Sequence, residues 1–273
     1  MCGRYVMARA TSDLVALGDA EANEDLVLRQ SWNVAPTAEV PILVAHADDV
    51  GAGVTRRIHV ARWGLVPPWA KELSVGSRAF NARSETVASK PTFRAAVRAR
   101  RCAVPVEGYY EWKTPEPGAK GPDGRAAKKQ PYYVHPAGAG DGEGPVIWFA
   151  GLYEWWQDPE AKAAGEDAWV LSTTILTMAA PDADDDDPVL AALGQLHDRM
   201  PVPMDAETMD RWLAPDTLGS AEEADALVGQ VCAGAYDVAA GWSLRPVGSA
   251  VGNVRNNGPE LIQEMREQQG TLL

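Results

Sequence analysis

The chain has 273 residues, 46% of them hydrophobic and 23% charged, the proportions of an ordinary folded domain rather than of a disordered chain, a coiled coil or a collagen-like fibre. No run approaches ~18 uninterrupted apolar residues, the opening Met1-Cys2-Gly3-Arg4-Tyr5 leads into no apolar secretory segment, and Cys2, Cys102 and Cys232 are too few and too scattered for a disulfide framework. The net charge of −13, taken alone, disfavours nucleic acid.

In chain order, Ser12 is placed to cap a helix through Asp19. The segments Glu39–Ala47, Val54–Trp63, Cys102–Trp112, Pro131–Pro136, Val146–Trp156 and Trp169–Met178 are rich in Val, Ile, Tyr and Trp and bounded by Gly, Pro or Asp, the pattern of strands. Asp205 is placed to open a helix over Ala206–Leu213, and Ser220 with Glu223 makes a capping box before Ala224–Cys232. Strands dominate without strand–helix alternation. This predicts an α+β fold with mostly antiparallel sheets, a barrel-like core and flanking helices. The whole chain, 1–273, reads as a single domain with a core of about 2–263, expected to be a monomer. Three segments read as surface insertions: 114–130, 137–145 and 181–188. The last contains the acidic run Asp182–Asp187, which lacks the pattern of a calcium-binding loop and reads as solvated. No cofactor motif and no metal site is read from the sequence.

The charge is unevenly spread. Residues 1–113 carry +3 and residues 114–273 carry −16. Between Val54 and Arg101 there are eleven basic residues and only Glu72 and Glu85. Such an asymmetry marks an anion-binding face, although charge alone is equally compatible with a solvated surface balanced by the acidic half.

Cys2 carries the most chemistry. Trimming of Met1 would leave a terminal cysteine, whose α-amino group ionises near ~7.7–8.0 and is partly neutral at physiological pH. Such an amine can form a Schiff base with an aldehyde, and the adjacent thiol can close a thiazolidine ring on it. The thiol could also act as an N-terminal nucleophile on an amide.

Seven motifs occur in order: Met1-Cys2-Gly3-Arg4-Tyr5, Trp32-Asn33-Val34-Ala35-Pro36, Trp63-Gly64-Leu65-Val66-Pro67, Asn81-Ala82-Arg83-Ser84-Glu85-Thr86, Glu107-Gly108-Tyr109-Tyr110-Glu111-Trp112, Leu196-His197-Asp198-Arg199-Met200-Pro201 and Val251-Gly252-Asn253-Val254. Over nearly the whole chain the sequence resembles the SOS-response-associated peptidase family, whose members process abasic sites in single-stranded DNA. The resemblance implies a covalent thiazolidine cross-link through Cys2. It makes Asn81, Glu111 and His197 the other catalytic residues: an amide to hold the amine, a carboxyl group to move protons, and an imidazole able to give or take one. It implies that Arg4, Arg83 and Arg199 grip phosphates, with Lys90 and Arg94 along the same groove, Trp69 and Pro36 as apolar surfaces for bases, and Thr177 lining the cleft. The acidic run should then point away from the DNA. A cytoplasmic protein, nucleoid-associated when bound, is expected. A self-processing cysteine peptidase using Cys2, His197 and Glu111 stays open as an alternative, as does a non-catalytic single-strand binding module.

Overall fold

Glu39–Ala47 and Val54–Trp63 pair antiparallel without interruption, Glu39 opposite Arg62 through to Ala47 opposite Val54, as their β-branched runs predict. They belong to a computed structural model that describes residues 2–47, 53–121, 123–138 and 144–265. In chain order the elements are β1 (Tyr5–Met7), α1 (Thr11–Gly18), β2 (Ser31–Val34), β3 (Glu39–Ala47), β4 (Val54–Trp63), β5 (Asn81–Arg83), α2 (Arg94–Ala99), β6 (Arg101–Val106) and β7 (Gly108–Lys113). There follow β8 (Gln130–Pro136), β9 (Ile147–Gln157), α3 (Pro159–Ala163), β10 (Trp169–Ala179), α4 (Pro188–Leu196), β11 (Arg199–Pro201), β12 (Pro203–Met204), α5 (Ala206–Leu213), α6 (Ala221–Ala233), α7 (Ala235–Ala239) and β13 (Trp242–Pro246).

The α+β architecture with a barrel core is the one expected. Strands β3, β4, β10, β9 and β6 pair in a ring that closes through β6 on β3. All of these pairings are antiparallel except β4 with β10. A second, antiparallel sheet runs β13-β8-β7-β1-β2. Because side chains alternate along a strand, this sheet has two apolar faces. Tyr5, Met7, Tyr109, Val134 and Trp242 join the main core, whereas Val6, Tyr110 and Tyr133 join a second cluster with Val247, Val251, Leu261 and Ile262. No helix among the described residues is long and apolar enough to cross a membrane.

Three expectations about elements change. The single strand over Cys102–Trp112 is two strands, β6 in the barrel and β7 in the second sheet, joined through Glu107 alone. A bend there requires Gly108, because a Cβ at that position would lie 2.5 Å from the Tyr133 ring. Ser12 is not a cap. Helix α1 starts after Ala10 with no side-chain cap, because Thr11 Oγ1 instead donates to the Leu26 carbonyl and accepts from the Leu28 amide. The acidic run does more than face water. Asp187 accepts from the amides of Val189 and Leu190 and caps α4, with Pro188 in the first turn. Among the described residues no group of three or more His, Cys, Asp or Glu is placed to hold a metal. Met1, and part of each of the predicted insertions 114–130 and 137–145, lie outside the described residues. The caps at Asp205 and Ser220 stand as expected.

The frame behind β6 is held by Arg101, 5% exposed. Its guanidinium donates to the carbonyls of Trp212 (2.8 Å), Val97 (3.2 Å), Arg98 (2.8 Å), Asp216 (2.9 Å) and Ala214. It thereby ties α2 and the end of α5 to the barrel. Arg101→Leu removes every donor and leaves buried carbonyls unsatisfied. A loss of about 3 kcal/mol of unfolding free energy is expected, read as a lower urea midpoint with unchanged slope.

Candidate active site and nucleic-acid interface

Pairing of β1 with β7 sets the first part of the site. Tyr5 stands opposite Tyr109, and the Tyr110 amide donates to the Arg4 carbonyl at 2.9 Å. The chain before Arg4 therefore runs alongside Glu111. Cys2 is fully buried there. Burial first, and the charge of Glu111 second, push its thiol well above the usual range. Buried Tyr109 is pushed up by the same desolvation and by Cys2 and Glu111, and Tyr5 by desolvation and Cys2. These four side chains share one electrostatic neighbourhood. The Tyr5 hydroxyl is buried with no hydrogen-bond partner among the described residues, a donor facing the same core.

The barrel supplies the second part. Strand β5 lies parallel to β10, with Asn81 opposite Ile175 and Arg83 opposite Thr177. From that start Asn81 Nδ2 donates to the Cys2 carbonyl at 2.8 Å, across 79 positions of sequence. Its Oδ1 is buried and has no hydrogen-bond partner among the described residues, which leaves an acceptor beside the main chain of Cys2. Glu111 is 5% exposed, and one of its oxygens accepts from the Trp112 amide at 3.2 Å. Cys2, Asn81 and Glu111 thus converge.

His197 follows α4, the helix that packs on β7 and β13. Its Nδ1 accepts from the Arg199 amide at 3.0 Å and lies 2.6 Å from Asp198 Oδ1. The amide needs a bare Nδ1 and the carboxylate a protonated one.

The remaining site residues divide into those turned inward and those on the surface. Arg4 donates to Asn33 Oδ1 and the Val251 carbonyl, both at 2.8 Å, and to Gly252; it clamps the segment after β13 onto the sheet. Thr177 is fully buried. Arg199 forms a fork on Glu85 at 2.5 and 2.9 Å and donates to the Thr177 carbonyl at 2.7 Å. A hydrogen bond from Arg199 holds the Glu85 carboxyl below its ordinary range. Asp182 and Asp185 act on Tyr236 together with Arg199, so the start of the acidic run is not remote from this arginine. Arg83, Lys90 and Arg94 are exposed. Lys90 and Asn81 line one cleft of about 470 Å³ with Arg78, Val75 and Phe93. Trp69, 62% exposed, adjoins it across Val75. Pro36 lines a different cleft, with Asn33 and Arg255.

Two residues escaped the sequence reading. Glu85 sits inside a quoted motif, but its partner is 114 positions away. Arg78 was one cation among eleven until the short 3-10 turn over Leu73–Arg78 set it beside Asn81.

A family model described as SOS response associated peptidase (SRAP) matches residues 1–254. The "Abasic site processing protein YoqW" of Bacillus subtilis (strain 168) is 31% identical over 268 residues, 96% of this chain and 99% of that protein. The "Abasic site processing protein HMCES" of Rattus norvegicus is 27% identical over 85% of this chain and 64% of its own length. A crystal structure of a Bacteroides thetaiotaomicron protein has a TM-score of 0.69 at 20% identity, over 97% of this chain and 100% of that one; it shares the fold.

Proposed function

From the premise that this chain belongs to the SOS response associated peptidase family, we propose that it captures abasic sites in single-stranded DNA through Cys2, once Met1 has been removed. The observation that carries this reading is the meeting of buried Cys2 and Glu111 with half-buried Asn81, which also lines the neighbouring cleft.

The ring-opened abasic sugar offers an aldehyde. The neutral amine of Cys2 attacks its carbonyl carbon, forming a C–N bond and a carbinolamine. Asn81 Oδ1, the unpartnered acceptor, orients the N–H of the amine. Glu111 carries protons between the amine and the departing oxygen, which leaves as water and gives the imine. The thiol then adds across C=N: sulfur bonds to carbon and its proton ends on nitrogen. One water is lost overall, and no oxidant is needed. His197, beyond the helix packed on β7, serves the sugar oxygen.

The state of the thiol favours this order over a peptidase. A cysteine protease rests with a lowered thiol pKa, ready as a thiolate, whereas burial and Glu111 hold Cys2 in its protonated form. An amine-first route needs no resting thiolate.

The DNA path follows the exposed groups: Trp69 for base stacking, then Arg78 and Lys90 beside Asn81, with Arg83 and Arg94 on the backbone. Arg83 makes no hydrogen bond or ion pair among the described residues, so Arg83→Glu is expected to weaken non-covalent binding and reduce the log–log salt slope by about 0.7. Fluorescence anisotropy across a salt series measures both. Arg199 reaches a phosphate only by exchanging it for Glu85, and Arg4 acts as a clamp. The test of the function is a denaturing gel after mixing with abasic and intact oligonucleotides. A shifted band with abasic DNA alone is expected. No shifted band with either would leave the binding-module reading.

A further inference from the structure

We infer that the cleft on the outer face of the second sheet binds a small organic oxyanion, a carboxylate or phosphoryl group on an apolar body, with Arg245 as its charge partner. The cleft encloses about 310 Å³, and Val6, Trp32, Tyr133, His135, Arg245 and Ile262 are among its walls. It is separate from the capture site. Val6 faces it, whereas its neighbour Tyr5 faces Cys2, because side chains alternate along β1.

Arg245 is the unusual group. It stands opposite Tyr133 across β13 and β8, its guanidinium 5.3 Å from the ring centroid. It makes no hydrogen bond or ion pair among the described residues, and its Nε is buried without a partner. The other inward-turned arginines differ: Arg4 and Arg101 are engaged by carbonyls, and Arg9 by Glu107 at 3.3 Å and by the Gly144 carbonyl. Glu107, in the same wall, is neutralised by Arg9 and also accepts from the Ala8 amide. Asp13 is exposed on the first turn of α1. The cation left over is Arg245.

His135 lines the same cleft and gives it aromatic surface. It is 7% exposed, stacked on Tyr133 at 5.0 Å and 20°. Its Nδ1 lies 2.8 Å from the Pro136 carbonyl, which ties the ring to its own strand and leaves the oxyanion to Arg245. Burial, and in smaller part the charge of Arg245, lower the pKa of His135, which places the two groups near each other. The guanidinium fork of Arg245 matches a carboxylate or phosphoryl oxygen pair. Val6, Trp32 and Ile262 add an apolar wall for the rest of the molecule.

Calorimetric titration of the full chain with benzoate, phenyl phosphate, benzamide and inorganic phosphate tests the site. Benzoate or phenyl phosphate is expected to bind one to one, with benzamide and inorganic phosphate at least about tenfold weaker. Arg245→Met is expected to lose about tenfold or more in affinity for the tighter probe, with its circular dichroism unchanged. The tighter of the two probes tells whether the group is a carboxylate or a phosphoryl; either outcome supports the site. Four results overturn it: equal binding of benzoate and benzamide, equal binding of phenyl and inorganic phosphate, no saturable binding of benzoate or phenyl phosphate, or unchanged affinity in Arg245→Met. Should that variant not fold, the comparison of benzoate with benzamide on the natural protein decides alone.

Discussion

Cys2→Ala is expected to abolish the heat-stable adduct with abasic DNA while leaving non-covalent binding intact. Alanine keeps the α-amine, so an imine can still form, but no sulfur is present to close the ring. The product reverts by hydrolysis unless it is reduced. Borohydride should therefore trap an adduct in Cys2→Ala, and denaturation without it should show none. Cys2 is fully buried against the barrel and its carbonyl is held by Asn81. Replacing sulfur by hydrogen leaves that bond in place, so the loss reads on chemistry rather than on docking of the terminus. A non-removable extension before Cys2 has the complementary effect. It turns the amine into an amide, and both the imine and the ring are lost. A heat-stable adduct in Cys2→Ala would exclude the thiazolidine.

Glu111→Gln carries the second large effect. The carboxyl is 5% exposed and raises the thiol of Cys2 through its charge. Glutamine fills the same space and can still accept from the Trp112 amide, but exchanges no proton. Cross-linking is expected to slow by about 10²–10⁴-fold, the usual contribution of one general acid or base, and reversal should slow with it because both directions share a transition state. DNA affinity should change little. Removing the carboxylate also removes one cause of the raised thiol, so the pH at which the thiol titrates should fall even as the reaction slows. A variant that lost only peptide cleavage and cross-linked at the normal rate would move Glu111 to the peptidase reading.

How far these residues could be read from the sequence depends on how local their geometry is. The β3 and β4 strands match their predicted ends, because apolar runs closed by breakers act within ten residues. The caps at Asp205 and Ser220 are equally local. Strands β6 and β7 were merged because Arg101 to Trp112 is rich in strand formers throughout. Only the position of Tyr133, in a strand more than twenty residues later, explains why the chain must bend at Gly108. The three-residue strands β1 and β5 carry no periodicity to detect, yet they place Cys2 and Asn81. Those two were found by chemistry and resemblance, not by pattern. The same limit explains the arginines. Sequence counts cations, and cannot tell Arg83, exposed, from Arg199, already forked onto a carboxylate 114 positions away.

The pairing of Arg199 with Glu85 also bears on the proposed DNA path. In the structure the guanidinium fork of Arg199 is filled by that carboxylate. On the proposed DNA path, exchange of that carboxylate for a phosphate would keep the count of ion pairs constant, so Arg199→Ala is expected to cost less affinity than Arg83→Ala.

Intact mass spectrometry of the purified protein, alone and after denaturation of its mixture with an abasic oligonucleotide, decides whether a trimmed Cys2 captures the lesion covalently. Expected are a protein lacking the mass of Met1, and a covalent product equal to protein plus oligonucleotide minus one water, stable to heat without reductant. A protein that retains Met1 and still forms that product, or one that lacks Met1 and forms no covalent product with abasic DNA, would contradict the proposed capture.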